Sequence, residues 1–207
     1  MRPSILQASK LTSVGTRSIF AAEHDVWRES VRKFCNEVLL PDHERWEADG
    51  VVPREVWLAA GEHGLLCIDE GLGDGEEGGV GNGGLESLIV GEEQAYWGVT
   101  GPSFSLHSDV IVPYVRSFAS DALASEWMGR FRSGEAVAAI AMTEPGAGSD
   151  LRGLRTRAVA DGDDWVLHGE KVFISNGRVA DAVIVAAVTG DIGSRGSDTL
   201  SLFLVDA

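Results

Sequence analysis

Along residues 18–133 the apolar positions recur with the period of a helix. Trp27, Val31, Phe34 and Val38 fall at i, i+4, i+7 and i+11, a single stripe wide enough to bury, and Pro41 closes it. Pro53 opens a second predicted helix in its first turn, with Val56, Trp57 and Ala60 inward and Gly61 and Gly64 ending it. Residues 85–97 and 105–118 follow as predicted helices, the latter with Pro113 as the site of a kink. Ser120 is placed to cap a further amphipathic face made by Leu123, Trp127 and Phe131. This first region is expected to be an N-terminal all-α helical domain.

After Gly134 the period changes. Residues 136–142, 157–160, 165–168, 171–175, 182–189 and 200–205 are short apolar or alternating runs, separated by turns at 161–164 and at Gly169. Runs this short, joined without intervening helices, predict antiparallel β structure. The expected architecture is α+β: a helical domain over 18–133, then a partial antiparallel β-barrel domain over 134–207.

Composition narrows the function classes. At 44% hydrophobic the chain can bury a core, and its formal charge of −15 would repel a phosphate backbone, so no nucleic-acid partner is expected. No apolar run approaches the roughly 18 residues of a spanning helix, so no membrane span is expected either. Cys35 and Cys67 are too few for a disulfide framework and lie in no metal-ligand spacing; both are read as reduced, packed thiols, and no metal site is predicted. Residues 1–17 carry Arg2, Lys10, Arg17 and several serines with no acid before Glu23, the pattern of a mobile N-terminus or a transit remnant. Between Arg54 and Arg116 there is no Lys or Arg, and 11 acids fall there. The Gly- and acid-rich stretch 69–84 inside it is expected to be a solvated, mobile loop, because it lacks the spacing of a calcium-binding loop.

The segment most able to carry chemistry is Met-Thr-Glu-Pro-Gly-Ala-Gly-Ser-Asp at 142–150. A strand runs into a turn whose Pro145, Gly146 and Gly148 leave backbone amides open to a ligand, with the hydroxyls of Thr143 and Ser149 beside them. It matches neither GxGxxG with a βαβ unit nor GxxxxGK[ST], so the dinucleotide-fold and P-loop readings fail.

That turn is followed by Asp-Trp-Val-Leu-His-Gly-Glu-Lys-Val-Phe-Ile-Ser-Asn-Gly at 164–177 and Ala-Asp-Ala-Val-Ile-Val at 180–185. In order and spacing the three together resemble the flavin-binding middle domain of acyl-CoA dehydrogenases. Upstream, residues 19–25, 30–34, 54–57 and 101–108 look most like the long-chain branch of that family. The resemblance implies FAD as cofactor, a fatty acyl-CoA as substrate and trans-2-enoyl-CoA as product. It further implies electron-transfer flavoprotein as electron acceptor, a homo-oligomer, and the mitochondrial matrix and fatty-acid β-oxidation as setting. The cofactor contacts it implies are Ile140, Met142, Thr143, Gly148, Ser149, Phe173, Ile174 and Ser175. Met142 and Thr143 would reach the pyrimidine edge of the flavin, where a donor stabilises charge that develops on reduction. Phe173 would pack on one face of the ring, and Ser175 would lie near the hydride-accepting atom. Ser149, with the turn at Gly148, would also contact the acyl-CoA. Singly, Phe173 reads as a β-core aromatic and Thr143 and Ser175 as turn caps; as a spaced set they take the functional roles.

Other residues are read as structural. Lys171 is expected at a strand edge in solvent, His107 on a helix surface, and Glu144 as a solvated loop acid or helix-dipole partner. No Ser/His/Asp or Cys/His set suggests a hydrolase. The family resemblance places the catalytic glutamate in a C-terminal helical bundle, so no catalytic residue is expected within 1–207, and the chain alone is expected to retain flavin weakly and not to turn over. The segment after Gly64 also departs from the family pattern. The rivals are a noncatalytic, oligomer-interfering module and an acyl-CoA oxidase or flavin monooxygenase on the same fold.

Overall fold

The computed structural model describes residues 19–68, 83–190 and 200–207. The expectations for residues 1–17 and for most of the stretch 69–84 therefore lie outside the described residues. Among the described residues, six α-helices precede five strands: α1 (Ala22–Phe34), α2 (His43–Asp49), α3 (Arg54–Glu62), α4 (Gly83–Trp97), α5 (Val112–Phe118), α6 (Asp121–Ser133), then β1 (Ala138–Ala141), β2 (Arg157–Asp161), β3 (Asp164–His168), β4 (Ala182–Val188) and β5 (Leu200–Asp206).

The α1 stripe is buried as its spacing predicts, with Val31 and Phe34 enclosed and Trp27 and Val38 packed at its margin. Past Phe34 the helix widens into a π turn over Cys35–Leu39, where the Leu40 amide donates to the Cys35 carbonyl at 2.8 Å. Buried Glu93 on α4 accepts from Arg28 and Arg32 on α1, which locks the two helices together. Ser120 caps α6 through the Leu123 amide at 3.3 Å, as expected. Helix α2 carries no signal that the apolar period detects, because only His43 and Trp46 of its seven residues are buried.

Gly61 does not end α3. It lies inside the helix, and an added Cβ would collide with the Ser133 carbonyl at the end of α6. Gly134, at φ +75°, sits equally close to the Trp57 carbonyl. The two glycines let α3 and α6 approach backbone to backbone. Ahead of Pro113, residues Leu106–Ile111 form a second π turn, which accommodates the missing amide and the bulk of the ring.

The sheet is mixed, where uniformly antiparallel pairing is expected from the sequence. Strand β4 pairs in parallel with β1 (Ala138↔Ala182 to Ala141↔Val185) and, at Arg157↔Val188, with β2, while β5 runs antiparallel along its other edge. The pair β2–β3 is a two-residue hairpin, turned at Gly162, where φ is +64°. The forty residues between β1 and β4 return the chain in the same direction without an α-helix, by way of turns, one short 3-10 helix at Leu151–Gly153 and that hairpin, so short connections alone misjudge the pairing. Residues 171–175, expected as a strand, form an irregular arm with Phe173 at φ +57°, and Asn176 follows at φ +64°.

Helices and sheet share one core, in which Ala136, Val137, Ala138, Ala182 and Ile184 join the helical apolar residues. Arg54 of α3 grips Asp181 with both nitrogens, at 2.6 and 2.9 Å, and donates to the Val179 carbonyl; Asp181 also accepts the Val137 amide at 2.7 Å. Arg178 reaches back to the carbonyls of Asp49 and Gly50. These bonds fix where β1 emerges, and with it the turn that follows.

Candidate flavin and acyl site

Strand β1 ends at Ala141, and residues 142–150 leave the sheet in a compact turn. Glu144 and Ala147 exchange backbone hydrogen bonds at 2.9 and 3.1 Å around Pro145 and Gly146, so the chain reverses within four residues. Met142 and Thr143 are half-buried at its base, while Gly148 and Ser149 are exposed at its far side. Space is open beside both Gly146 and Gly148. Among the described residues, the amides of Thr143, Gly148 and Ser149 have no carbonyl partner, and the hydroxyls of Thr143, Ser149 and Ser175 make no hydrogen bond within the chain.

The arm 171–176 is held against this turn. The Val172 amide donates to the Thr143 carbonyl at 2.9 Å, Lys171 Nζ donates to the Met142 carbonyl at 3.1 Å, and Asn176 Nδ2 donates to the Ala138 carbonyl at 3.3 Å. The structure thus brings Met142 and Thr143 together with the arm that carries Phe173, Ile174 and Ser175. Ile140 is half-buried in β1 and Ile174 half-buried in the arm; Gly148 and Ser149 belong to the site through the turn. Phe173 is 94% exposed, so it is not the β-core aromatic it resembles when read alone.

Three readings of charged or titratable residues are overturned. Glu144 is buried, 6% exposed, and not a solvated loop acid: it accepts from the Arg155 amide (2.7 Å), the Thr156 amide (2.9 Å) and Lys171 Nζ (2.9 Å). Burial opposes its ionisation, but these donors, with the Thr156 side chain close by, outweigh it and hold the carboxyl at about 2. The Thr156 hydroxyl itself completes no hydrogen bond of full geometry. Lys171 is likewise enclosed, as the partner of Glu144, and not a solvent-facing edge lysine. The sequence hides this pair because its members lie 27 residues apart and neither neighbourhood carries a local pattern.

His107 is fully buried and not on a helix surface. Its Nδ1 accepts the Ala138 amide at 3.1 Å and its Nε2 donates to the Phe131 carbonyl at 3.2 Å, which defines one neutral tautomer. Burial pushes its pKa down to about 4. The thiols are buried as expected, and Cys35, desolvated and near Glu93, is pushed up to about 12 and is inert. No cluster of three or more metal-ligating side chains occurs among the described residues.

A half-open cleft of about 880 Å³ lies between α4 and the helix formed by the second π turn and α5. Small side chains line it, including Gly91 and Ala95 from α4 and Ser105 and Ser108 from the facing helix. The Ser108 hydroxyl accepts the Cys67 amide at 3.0 Å, so this wall is tied to the same layer as His107 and β1.

The N-terminal domain of acyl-CoA dehydrogenases matches residues 21–135, and the middle domain of the same family matches residues 139–207. The chain belongs to the acyl-CoA dehydrogenase family, whose members are FAD-dependent oxidoreductases. It is 50% identical over 199 residues to the mitochondrial long-chain specific acyl-CoA dehydrogenase of Sus scrofa, and 48% identical to that of Rattus norvegicus, covering 96% of this chain and 46% of each relative. Among solved structures, an acyl-CoA dehydrogenase from Geobacillus kaustophilus superposes with a TM-score of 0.82 at 35% identity, over 91% of this chain and 49% of that one. A glutaryl-CoA dehydrogenase from Mycobacterium smegmatis in complex with FADH2 superposes at 0.76 with 28% identity, over 90% and 46% of the two chains. The chain therefore spans about half the length of the relatives it matches. Among the described residues, no helix is long and apolar enough to cross a membrane.

Proposed function

We propose that this chain carries the flavin-contacting face of a long-chain acyl-CoA dehydrogenase, which removes the α and β hydrogens of a fatty acyl-CoA to give trans-2-enoyl-CoA. The observation that carries this reading is Phe173, an aromatic ring held almost wholly exposed on left-handed backbone by an arm bonded to the Met142–Thr143 turn. An exposed ring in a strained conformation is costly without a ligand to cover it. The unpartnered amides of Thr143, Gly148 and Ser149, and the open space beside Gly148, suit a planar group rich in acceptors. Bound there, FAD would supply the hydride acceptor.

The chain's own residues bind, orient and shield. Phe173, together with Ile174 of the arm and Ile140 of β1, would cover one face of the ring and exclude water. Met142 and Thr143 would donate to its pyrimidine edge, Ser175 would lie beside the accepting atom, and Gly148 and Ser149 would hold the turn against cofactor and acyl-CoA. The acyl chain is proposed to enter the cleft by α4, where Leu88, Gly91 and Ala95 face Ser105, Ser108 and Pro113. Deprotonation of the substrate is assigned to no residue of this chain. Electron-transfer flavoprotein as acceptor, a homo-oligomer and the mitochondrial matrix are part of the same proposal. The mitochondrial setting is supported by the mitochondrial long-chain relatives.

The test is an anaerobic titration of the whole polypeptide, as its gene encodes it, with a long-chain acyl-CoA. Bleaching of the flavin with stoichiometric enoyl-CoA is expected. Hydrogen peroxide production in air at the rate of enoyl-CoA formation would make it an oxidase instead, and failure to retain flavin would refute the site.

A further inference from the structure

Lys171 and Glu144 stand outside the residues assigned to the cofactor, yet they join the two halves of its site. The ammonium donates to the Met142 carbonyl at 3.1 Å and to Glu144 Oε1 at 2.9 Å, and Glu144 is fixed in turn by the amides of Arg155 and Thr156. Their side chains are only 11% and 5% exposed. Charges so enclosed are costly unless paired and fully hydrogen-bonded.

We propose that Lys171, charge-compensated by Glu144, is a positioning residue that holds the Phe173–Ser175 arm on the Met142–Thr143 turn and, through that peptide, sets the electrostatic environment of the bound flavin. This rests on the flavin reading above. Two features of the geometry support it. Phe173 and Asn176 both occupy left-handed backbone, so the arm keeps its shape only because it is tied at both ends, by Lys171 and Val172 in front and by Asn176 behind. A cation on the Met142 carbonyl also polarises the peptide whose N–H belongs to Thr143, and this strengthens that amide as a donor. The ion pair is thus a dipole with its positive end against the peptide that faces the site.

A plain structural staple would shift the properties of the site the same way whichever partner is lost; an electrostatic device shifts them in opposite directions. In the whole polypeptide loaded with FAD, Glu144→Gln leaves the cation uncompensated. The preference for reduced over oxidised flavin is then expected to rise about tenfold, an upward move of about 30 mV in a two-electron midpoint potential. Lys171→Met leaves the carboxylate uncompensated and moves the potential down. The double variant, which removes both charges and so keeps the fold where a single variant fails, lies between the singles and below wild type. In the flavin-free chain, hydrogen exchange at the Val172 amide is expected to quicken about tenfold in Lys171→Met and to return toward wild type in Lys171→Arg, with α6 unchanged. Shifts of one sign in both single variants, a double variant at or above wild type, or an unchanged Val172 amide overturn the inference while leaving the flavin reading intact. A wild type that retains no FAD overturns both.

Discussion

Phe173 shows the conflict between stability and use within one residue. A non-glycine at φ +57° with an exposed ring lowers stability, and the ties at the two ends of the arm hold it there. Phe173→Gly is accordingly expected to stabilise the flavin-free chain by about 0.5–1 kcal/mol, seen as a higher melting temperature, while flavin affinity measured by fluorescence quenching falls at least about tenfold. A loss of both together would make Phe173 a structural residue. Glu144 is the opposite case, a charge fully supported by the fold. Its pKa falls from 4.5 to about 2 on folding, so the stability it contributes is complete above about pH 4.5 and is lost as pH falls toward 2. That contribution is on the order of 3 kcal/mol, and Glu144→Gln should remove this part of the acid slope in urea titrations between pH 5 and 2. The residue types of the turn were legible in the sequence; the pairing of Glu144 with Lys171 was not, because contact across 27 residues depends on where two loops come to rest.

Among the elements, helices were easiest to read, because burial of one stripe leaves a trace in every turn. Helix α2 escaped, being short and anchored by two side chains. The glycines of α3 and α6 were legible as residues but not in their role: Gly61 has the signature of a helix end and acts at a close crossing. Gly134 combines that crossing with a positive φ, so Gly134→Ala is expected to destabilise the chain by about 3 kcal/mol, measured as a lower urea midpoint at unchanged m-value. The equivalent change at exposed Gly146, where nothing lies within reach of a new Cβ, should be nearly neutral. Strand positions were also legible from their short apolar runs, except at 171–175, which form the irregular arm, but strand direction was not. Parallel pairing of β1 with β4 is decided by the path of the intervening forty residues, which no local period records.

At the scale of the whole molecule, His107 and Asp181 are the bolts between helices and sheet. His107 serves α6 through Phe131 and β1 through Ala138 only while neutral. With a pKa lowered from 6.5 to about 4, its stabilising effect is complete above about pH 6.5 and is lost as pH falls through 4. His107→Gln should therefore flatten the stability profile between pH 6.5 and 4, a window that meets that of Glu144 only near pH 4–5, and cost about 1–3 kcal/mol at pH 7 in denaturant melts. An unaltered slope would mean that another group titrates there. The sequence by itself determined the helical stripes, the positions of the five strands though not the irregular arm at 171–175, the turn at 142–150 and the family, because each is written in local period or contiguous motif. Only the tertiary structure decided the mixed pairing of the sheet, the burial of His107, Glu144 and Lys171, and the exposure of Phe173. Burial and direction depend on what the rest of the chain places alongside a residue, and hydrogen-bonding partners far apart in sequence leave no mark on either neighbourhood.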